Sequence, residues 1–157
     1  MSLLPFLDCY SLSLVGRFDV VKFKMRGSSE RAECTVVFDM AHTVDSARYL
    51  RKKLDSGFPG NKFVFLISMM RDKRVGEFLD ELNVFKNRVV FTTSHSSRGY
   101  TGEELCKKFY KKAEVKEGPL EAFSYALKIL RPDQVLVVTG SHFLVGEILR
   151  ALKRKLF

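Results

Sequence analysis

The chain has 157 residues, of which 46% are apolar and 14 are Phe, enough for the core of one ordinary globular domain and at odds with a disordered or coiled-coil protein. No apolar run approaches the roughly 18 to 20 residues that cross a bilayer, and the opening MSLLPFLDCYSLSLV lacks a basic start and carries Asp8, so neither a membrane span nor a cleaved signal is expected. The formal charge of +9 invites an anionic partner, but the Lys and Arg fall on helix-like segments (RYLRKKL, CKKFYKK, LRALKRK) as solvated faces, and the basic-aromatic motifs of RNA modules are absent, so a nucleic-acid partner is not expected.

Two extended runs open the ordered part. GRFDVVKFKM alternates apolar and polar residues, ECTVVFD is almost continuously apolar, and RGSSER between them supplies turn residues, which together predict an antiparallel hairpin. After that the chain repeats strand, loop and helix: KFVFLIS then RVGEFLDEL, NRVVFTT then GEELCKKFYKK, AEVKEG then LEAFSYALKIL, QVLVVTG then LVGEILRALKRKL. Such alternation predicts a parallel sheet wound with right-handed crossovers. FPGN marks a turn before the third strand, Thr101 and Glu104 stand at capping-box spacing, and Pro119 suits a first helical turn. No repeat or low-complexity linker divides the chain, so one domain is expected. Cys9, Cys34 and Cys106 show neither CxxC nor metal-ligand spacing, which suits reduced thiols in a cytoplasmic protein.

Open α/β sheets bind ligands beyond the carboxyl ends of their parallel strands. The loops at those ends read DMAHTVD, SMMRDKR, TTSHSSRGYTG, EGP and TGSH, and they hold the chain's three histidines, His42, His95 and His142, with Asp39, Asp72, Lys73, Arg98 and Ser141. Thr43, Asp45 or Ser46 can cap the following helix, whose apolar stripe is Ala47, Leu50 and Leu54. A cap accounts for one polar residue and leaves Asp39 and His42 as candidates for function. No spacing supports a metal site built from the three histidines.

VVTGSHFLVGEIL places Gly and Ser at a helix start, where amides and the Ser141 hydroxyl suit a carboxylate or phosphate, and Lys73 could add a point charge. Neither GxxxxGK[ST] nor GxGxxG occurs, so the domain could complete a nucleotide site but not build one.

Taken in order, VGRFDVV, VVFDMAHTVDSA, ISMMRDKR, SSRGYTGEEL and VLVVTGSHFLVGEIL resemble the C-terminal domain of folylpolyglutamate synthase and dihydrofolate synthase, in the Mur ligase superfamily. The resemblance runs from Gly16 to the end. It implies residues 16–157 as a Mur ligase C-terminal-type domain and 1–15 as an N-terminal segment or interdomain linker. The implied fold is a Rossmann-like three-layer α/β domain, with a six-stranded mixed sheet of five parallel strands and an antiparallel first strand, and helices on both faces.

The implied activity is ATP-dependent addition of glutamate to folate or folylpolyglutamate through an acyl phosphate, with ATP and Mg2+ held chiefly by an N-terminal P-loop domain of a parent protein. Without that domain the chain is expected to be inactive. Carried over by motif, Arg17, Asp39 and His42 are implied at the ATP site, with His42 in the catalytic role. Lys73 and Ser141 are implied at the glutamate carboxylates, and Arg98 and Thr43 as further contacts. Where the family loop reads Asp, small residue, Ala, His, Asn, Pro, this chain has Met40, Thr43 and Val44. The Asp-x-Ala-His-Thr pattern is closer to ligases of the peptidoglycan precursor, which stand as one alternative beside a free-standing nucleotide- or anion-binding module.

Overall fold

A computed structural model of the chain describes residues 7–9, 16–25 and 33–156. Among them the strands are β1 (Leu7–Cys9), β2 (Asp19–Met25), β3 (Glu33–Phe38), β4 (Lys62–Ile67), β5 (Arg88–Phe91), β6 (Glu114–Val115) and β7 (Gln134–Thr139). The helices are α1 (Val44–Gly57), α2 (Val75–Leu82), α3 (Gly102–Lys108), α4 (Pro119–Ile129) and α5 (His142–Leu156), with a 3-10 turn at Val84–Lys86. The strands form one sheet in the order β1-β2-β3-β7-β4-β5-β6. β2 runs antiparallel to β3, and β3, β7, β4, β5 and β6 are mutually parallel, which is the expected six-stranded mixed core. β1 adds a short antiparallel strand beside β2, inside the segment read from sequence as linker. The RGSSER turn lies outside the described residues.

Period-two alternation sorts the strand side chains onto two buried faces. Val36 and Phe38 of β3, with Val64, Leu66, Val90, Leu136 and Val138, pack beneath α4 and α5. Val37 faces the other way, with Phe65, Ile67, Phe91, Val135 and Val137, beneath α1, α2 and α3. Central strands buried on both sides read as continuous apolar runs for this reason. α1 contributes Ala47, Leu50 and Leu54, three positions on one helical stripe, each at most 1% exposed. Each fully buried Leu or Phe contributes about 1.5 to 3 kcal/mol.

Helix starts follow their local chemistry. Thr43 caps α1 and forms a capping box with Ser46, so Thr43 is the cap among the three candidates. Thr101 and Glu104 form the expected box at α3, and Pro119 opens α4. Two elements differ from the sequence expectation in length. β6 is only two residues, and α3 stops at Lys108 although CKKFYKK continues in helical pattern. Phe109 and Tyr110 turn back onto the core beneath α1 to α3, which outweighs the weak propensity of one further turn.

Strand order is what gathers the rim. The chain runs outward from β4 through β5 to β6, then returns to insert β7 between β3 and β4. The loop after β7 therefore lies between the loops after β3 and β4. α1 and α2 leave toward one face of the sheet and α5 toward the other. Adjacent strands whose connections diverge in this way open a crevice at their carboxyl ends.

Candidate functional site

At the end of β3 the ladder carries one residue further, with the Asp39 N–H donating to the Val138 carbonyl at 3.0 Å. The Asp39 carboxylate then ties two loops together. Oδ1 accepts the Ala41 N–H at 2.8 Å, and Oδ2 accepts the Phe18 N–H at 2.9 Å. Phe18 has a φ of 50°, in the left-handed region. The turn that carries it is also pinned by the Asp19 carboxylate accepting the Gly16 N–H, and by Met40 N–H donating to the Gly16 carbonyl at 2.8 Å. The Met40 side chain lies against the Gly16 Cα, where a Cβ would strike it. Burial is the main force pushing the Asp39 carboxyl above its ordinary value; the two amides and Lys53 pull it back down, and Asp19 adds to the rise.

His42 follows in the same turn. Its Nδ1 lies 2.8 Å from the Met40 carbonyl oxygen, an arrangement in which Nδ1–H donates. Its backbone N–H donates to Ser46 Oγ at 3.1 Å, joining the histidine to the helix cap.

The β7–α5 turn presses against this loop. Gly140 N–H donates to the Ala41 carbonyl at 2.9 Å, and the Thr139 hydroxyl to the same carbonyl at 3.3 Å. Gly140 has a φ of 101°, and a Cβ there would collide with the Ser68 carbonyl oxygen just past β4, so the turn needs glycine. Ser141 is 1% exposed, and its Oγ accepts the Phe143 N–H at 3.1 Å, which leaves its hydroxyl hydrogen free to donate. The His142 ring stands 6.3 Å from the His42 ring, centroid to centroid, at 68°. Two further hydroxyls past the ends of β4 and β5, Ser68 and Ser94, are buried without a hydrogen-bond partner among the described residues.

These loops enclose two clefts around His142, beside a third of about 480 Å3 that is lined by His42, Thr43, Asp72 and Lys73. The smaller of the two, about 80 Å3, is lined by His42, Lys73, Arg98, Ser141 and His142. The larger, about 390 Å3, is lined by Arg17, Asp39, His42, Thr43, Lys53 and His142. His42 and His142 form their common wall. All seven residues singled out from sequence thus reach the rim: Arg17, Asp39 and Thr43 on one side, Lys73, Arg98 and Ser141 on the other, and His42 on both. Arg17 and Arg98 make no side-chain ion pair among the described residues, and Lys73 approaches only Asp72, at 3.6 Å. The clefts therefore hold cations that are not neutralised internally, which suits anionic ligands.

His95 is the histidine that the structure turns elsewhere, onto Glu147 of α5. Two residues of the larger cleft were passed over in the sequence. Tyr49, 64% exposed, and Lys53, whose Nζ lies 4.6 Å from the Tyr49 ring centre, share a face of α1 with Ser46. Spacing of three and seven residues from Ser46 was the available signal.

A protein-family model described as "Mur ligase, glutamate ligase domain" matches residues 16–142. The dihydrofolate synthase/folylpolyglutamate synthase of Haemophilus influenzae is 26% identical over 151 residues, covering 87% of this chain and 34% of that protein. The chain thus spans about a third of the length of this curated relative. Among solved structures, E. coli FolC in complex with ADP superposes with a TM-score of 0.74 at 22% identity, over 90% of this chain and 32% of the other. The bifunctional folylpolyglutamate synthase/dihydrofolate synthase from Yersinia pestis, complexed with AMPPNP and Mn ion, gives 0.73 at 23% identity with the same coverage. At such identities the superpositions establish the fold. Among the described residues no helix is long and apolar enough to cross a membrane.

Proposed function

The chain belongs to the Mur ligase glutamate ligase domain family, and from that premise we propose that it is the closing domain of an ATP-dependent carbon–nitrogen ligase that adds glutamate to a folate or folylpolyglutamate carboxylate. The observation that carries the reading is the shared wall of His42 and His142 between two cation-lined clefts. A nucleotide phosphate in one cleft and an amino-acid carboxylate in the other would meet there.

In such a reaction ATP phosphorylates a carboxylate, and the glutamate amine displaces phosphate from the acyl phosphate as it gives up a proton. In this chain Arg17 is the cation for the phosphates on the larger side, and His42 presents Nε2 to the reacting groups because Nδ1 is held by Met40. Asp39 acts through the backbone, with both carboxylate oxygens engaged by the amides of Ala41 and Phe18. It fixes the turn bearing Arg17 against the turn bearing His42. On the smaller side Lys73 supplies a point charge and Ser141 a hydroxyl donor for the glutamate carboxylates, with Arg98 across from them. Thr43 holds the end of α1 and lines the larger cleft. Fixed donors and cations serve a charged transition state best when closure excludes water.

Among the described residues no group of three or more His, Cys, Asp or Glu could hold a metal ion. The donor set here does not fit Mg2+ by itself, and the proposal assigns that ion to a P-loop domain of a longer cytoplasmic protein. The isolated chain is then expected to bind substrates weakly and to form no amide.

Two-dimensional NMR titration of the chain with AMPPNP, and separately with L-glutamate, tests the reading. The expected result is that nucleotide shifts the amides around Arg17 and His42, and that glutamate shifts those around Lys73 and Ser141. Absence of response to either, or responses confined to surfaces away from the rim, would overturn it.

A further inference from the structure

Beside the two clefts the rim carries a charged contact to α5 that the ligase reading leaves unused. His95, in the loop between β5 and α3, places Nδ1 3.0 Å and 2.9 Å from the two carboxylate oxygens of Glu147 on α5. His95 is 78% exposed and Glu147 only 22%. The same loop carries Arg98, which lines the smaller cleft with Ser141 and His142 from the start of α5.

One flank of this loop is zipped to the loop after β4. Arg71 N–H donates to the Arg98 carbonyl at 2.9 Å, Tyr100 N–H donates to the Met69 carbonyl at 2.9 Å, and Met70 and Gly99 form an isolated antiparallel bridge. Arg71 also pairs with Glu104 and lies over the Tyr100 ring. On the other flank the tether to α5 is the pair of His95 and Glu147. Arg98, which lines the smaller cleft, is carried on the loop that both attachments hold.

We propose that Glu147 is a positioning residue of the smaller cleft: acting through His95, it holds the β5–α3 loop against α5 and keeps Arg98 opposite Ser141. The inference rests on the anion-binding reading of that cleft. The other charged or basic side chains on the two elements that meet here are Arg98 on the loop and His142, Arg150, Lys153, Arg154 and Lys155 on α5. Exposed pairs of this kind stabilise weakly, so the loop should open about two- to fivefold more often without it.

The test uses the full chain with Glu147→Gln, Arg98→Gln and the double substitution. Amide exchange protection of residues 94–99 is measured, and the affinity for L-glutamate by NMR titration. The expected result is a two- to fivefold loss of protection in Glu147→Gln, and a similar loss of glutamate affinity that vanishes in the Arg98→Gln background. Equal protection in wild type and Glu147→Gln, or affinity losses that simply add in the double variant, would overturn it. A wild type that binds no glutamate would instead overturn the ligase reading, and the exchange data would still decide whether the pair holds the loop.

Discussion

The carboxylate of Asp39 accepts the backbone N–H of Phe18 across a sequence separation of 21 residues. That bond makes an acidic residue, which by type looks like an open ligand, the clamp between the turn at Gly16 and the end of β3. The clamp has a cost, because burial raises the carboxyl's pKa above its ordinary 3.8. An acid whose pKa is raised by folding supports the fold while protonated and loses that contribution as pH rises through the raised value. Asp39→Asn has no charge to desolvate. Its stability relative to wild type should therefore climb as pH increases from about 3.8 through the raised value, whatever the constant offset from leaving one amide unpaired. Urea unfolding of both proteins over that range checks this, and a flat difference would mean that the carboxylate is not penalised by burial.

Gly140 meets two constraints at once, a φ of 101° and a Cβ position already taken by the Ser68 carbonyl oxygen. Gly140→Ala should destabilise by more than about 1 kcal/mol, a loss visible in the denaturation midpoint. The amides of Ala41 and Ser141 should shift in NMR spectra, because the turn must move off β4 to admit the methyl group.

Cys34 lies on β3 partly buried, and burial pushes its thiol up to about 11. The thiolate is the reactive species, so at pH 8 Cys34 should resist iodoacetamide in the folded chain and react on addition of urea. Peptide mapping of the alkylated sites reads this directly, and rapid modification of the native protein would contradict the burial.

Thr43 and Ser46 exchange side-chain and backbone hydrogen bonds at the start of α1, and the Ser46 hydroxyl also takes the N–H of His42. Thr43→Ala should cost about 0.5 to 2 kcal/mol, as for other lost caps. For a chain of this length that is a fall in melting temperature of a few degrees. Because His42 hangs from the same cap through Ser46, Ser46→Ala should also broaden the His42 amide resonance, which thermal unfolding alone would not reveal.

Much of the fold was legible because the signals were local. The alternation of GRFDVVKFKM against the apolar run of ECTVVFD predicted β2 and β3, and strand-loop-helix repetition predicted the parallel order. The rim was legible at the level of composition, since polar residues clustered after each strand. Less visible were features that depend on tertiary packing. β1 is only three residues long and is defined by its pairing with β2. The pair of His95 and Glu147 joins positions 52 apart, and nothing in the loop sequence distinguishes His95 from a free histidine. Asp39 and His42 were legible as candidates, but the loops that Asp39 clamps became apparent only once the turn at Phe18 was placed beside it.

Lys73 bears most directly on the proposed glutamate site. Its side chain is 28% exposed and 3.6 Å from Asp72, a weak pairing that leaves the ammonium available to the smaller cleft. A hydrogen bond between such a charge and a carboxylate contributes about 1.5 to 3 kcal/mol. Lys73→Met keeps the aliphatic stem and removes the charge, so L-glutamate affinity should fall about tenfold or more. AMPPNP affinity should stay near wild type, because the proposed nucleotide site lies on the other side of the His42 wall. Asp72→Asn removes the competing carboxylate and should leave glutamate affinity equal or slightly raised. NMR titrations of the three proteins with each ligand separate these effects. If Lys73→Met bound glutamate as wild type does, the carboxylate would have to sit elsewhere on the rim, and Arg98 would be the next cation to test.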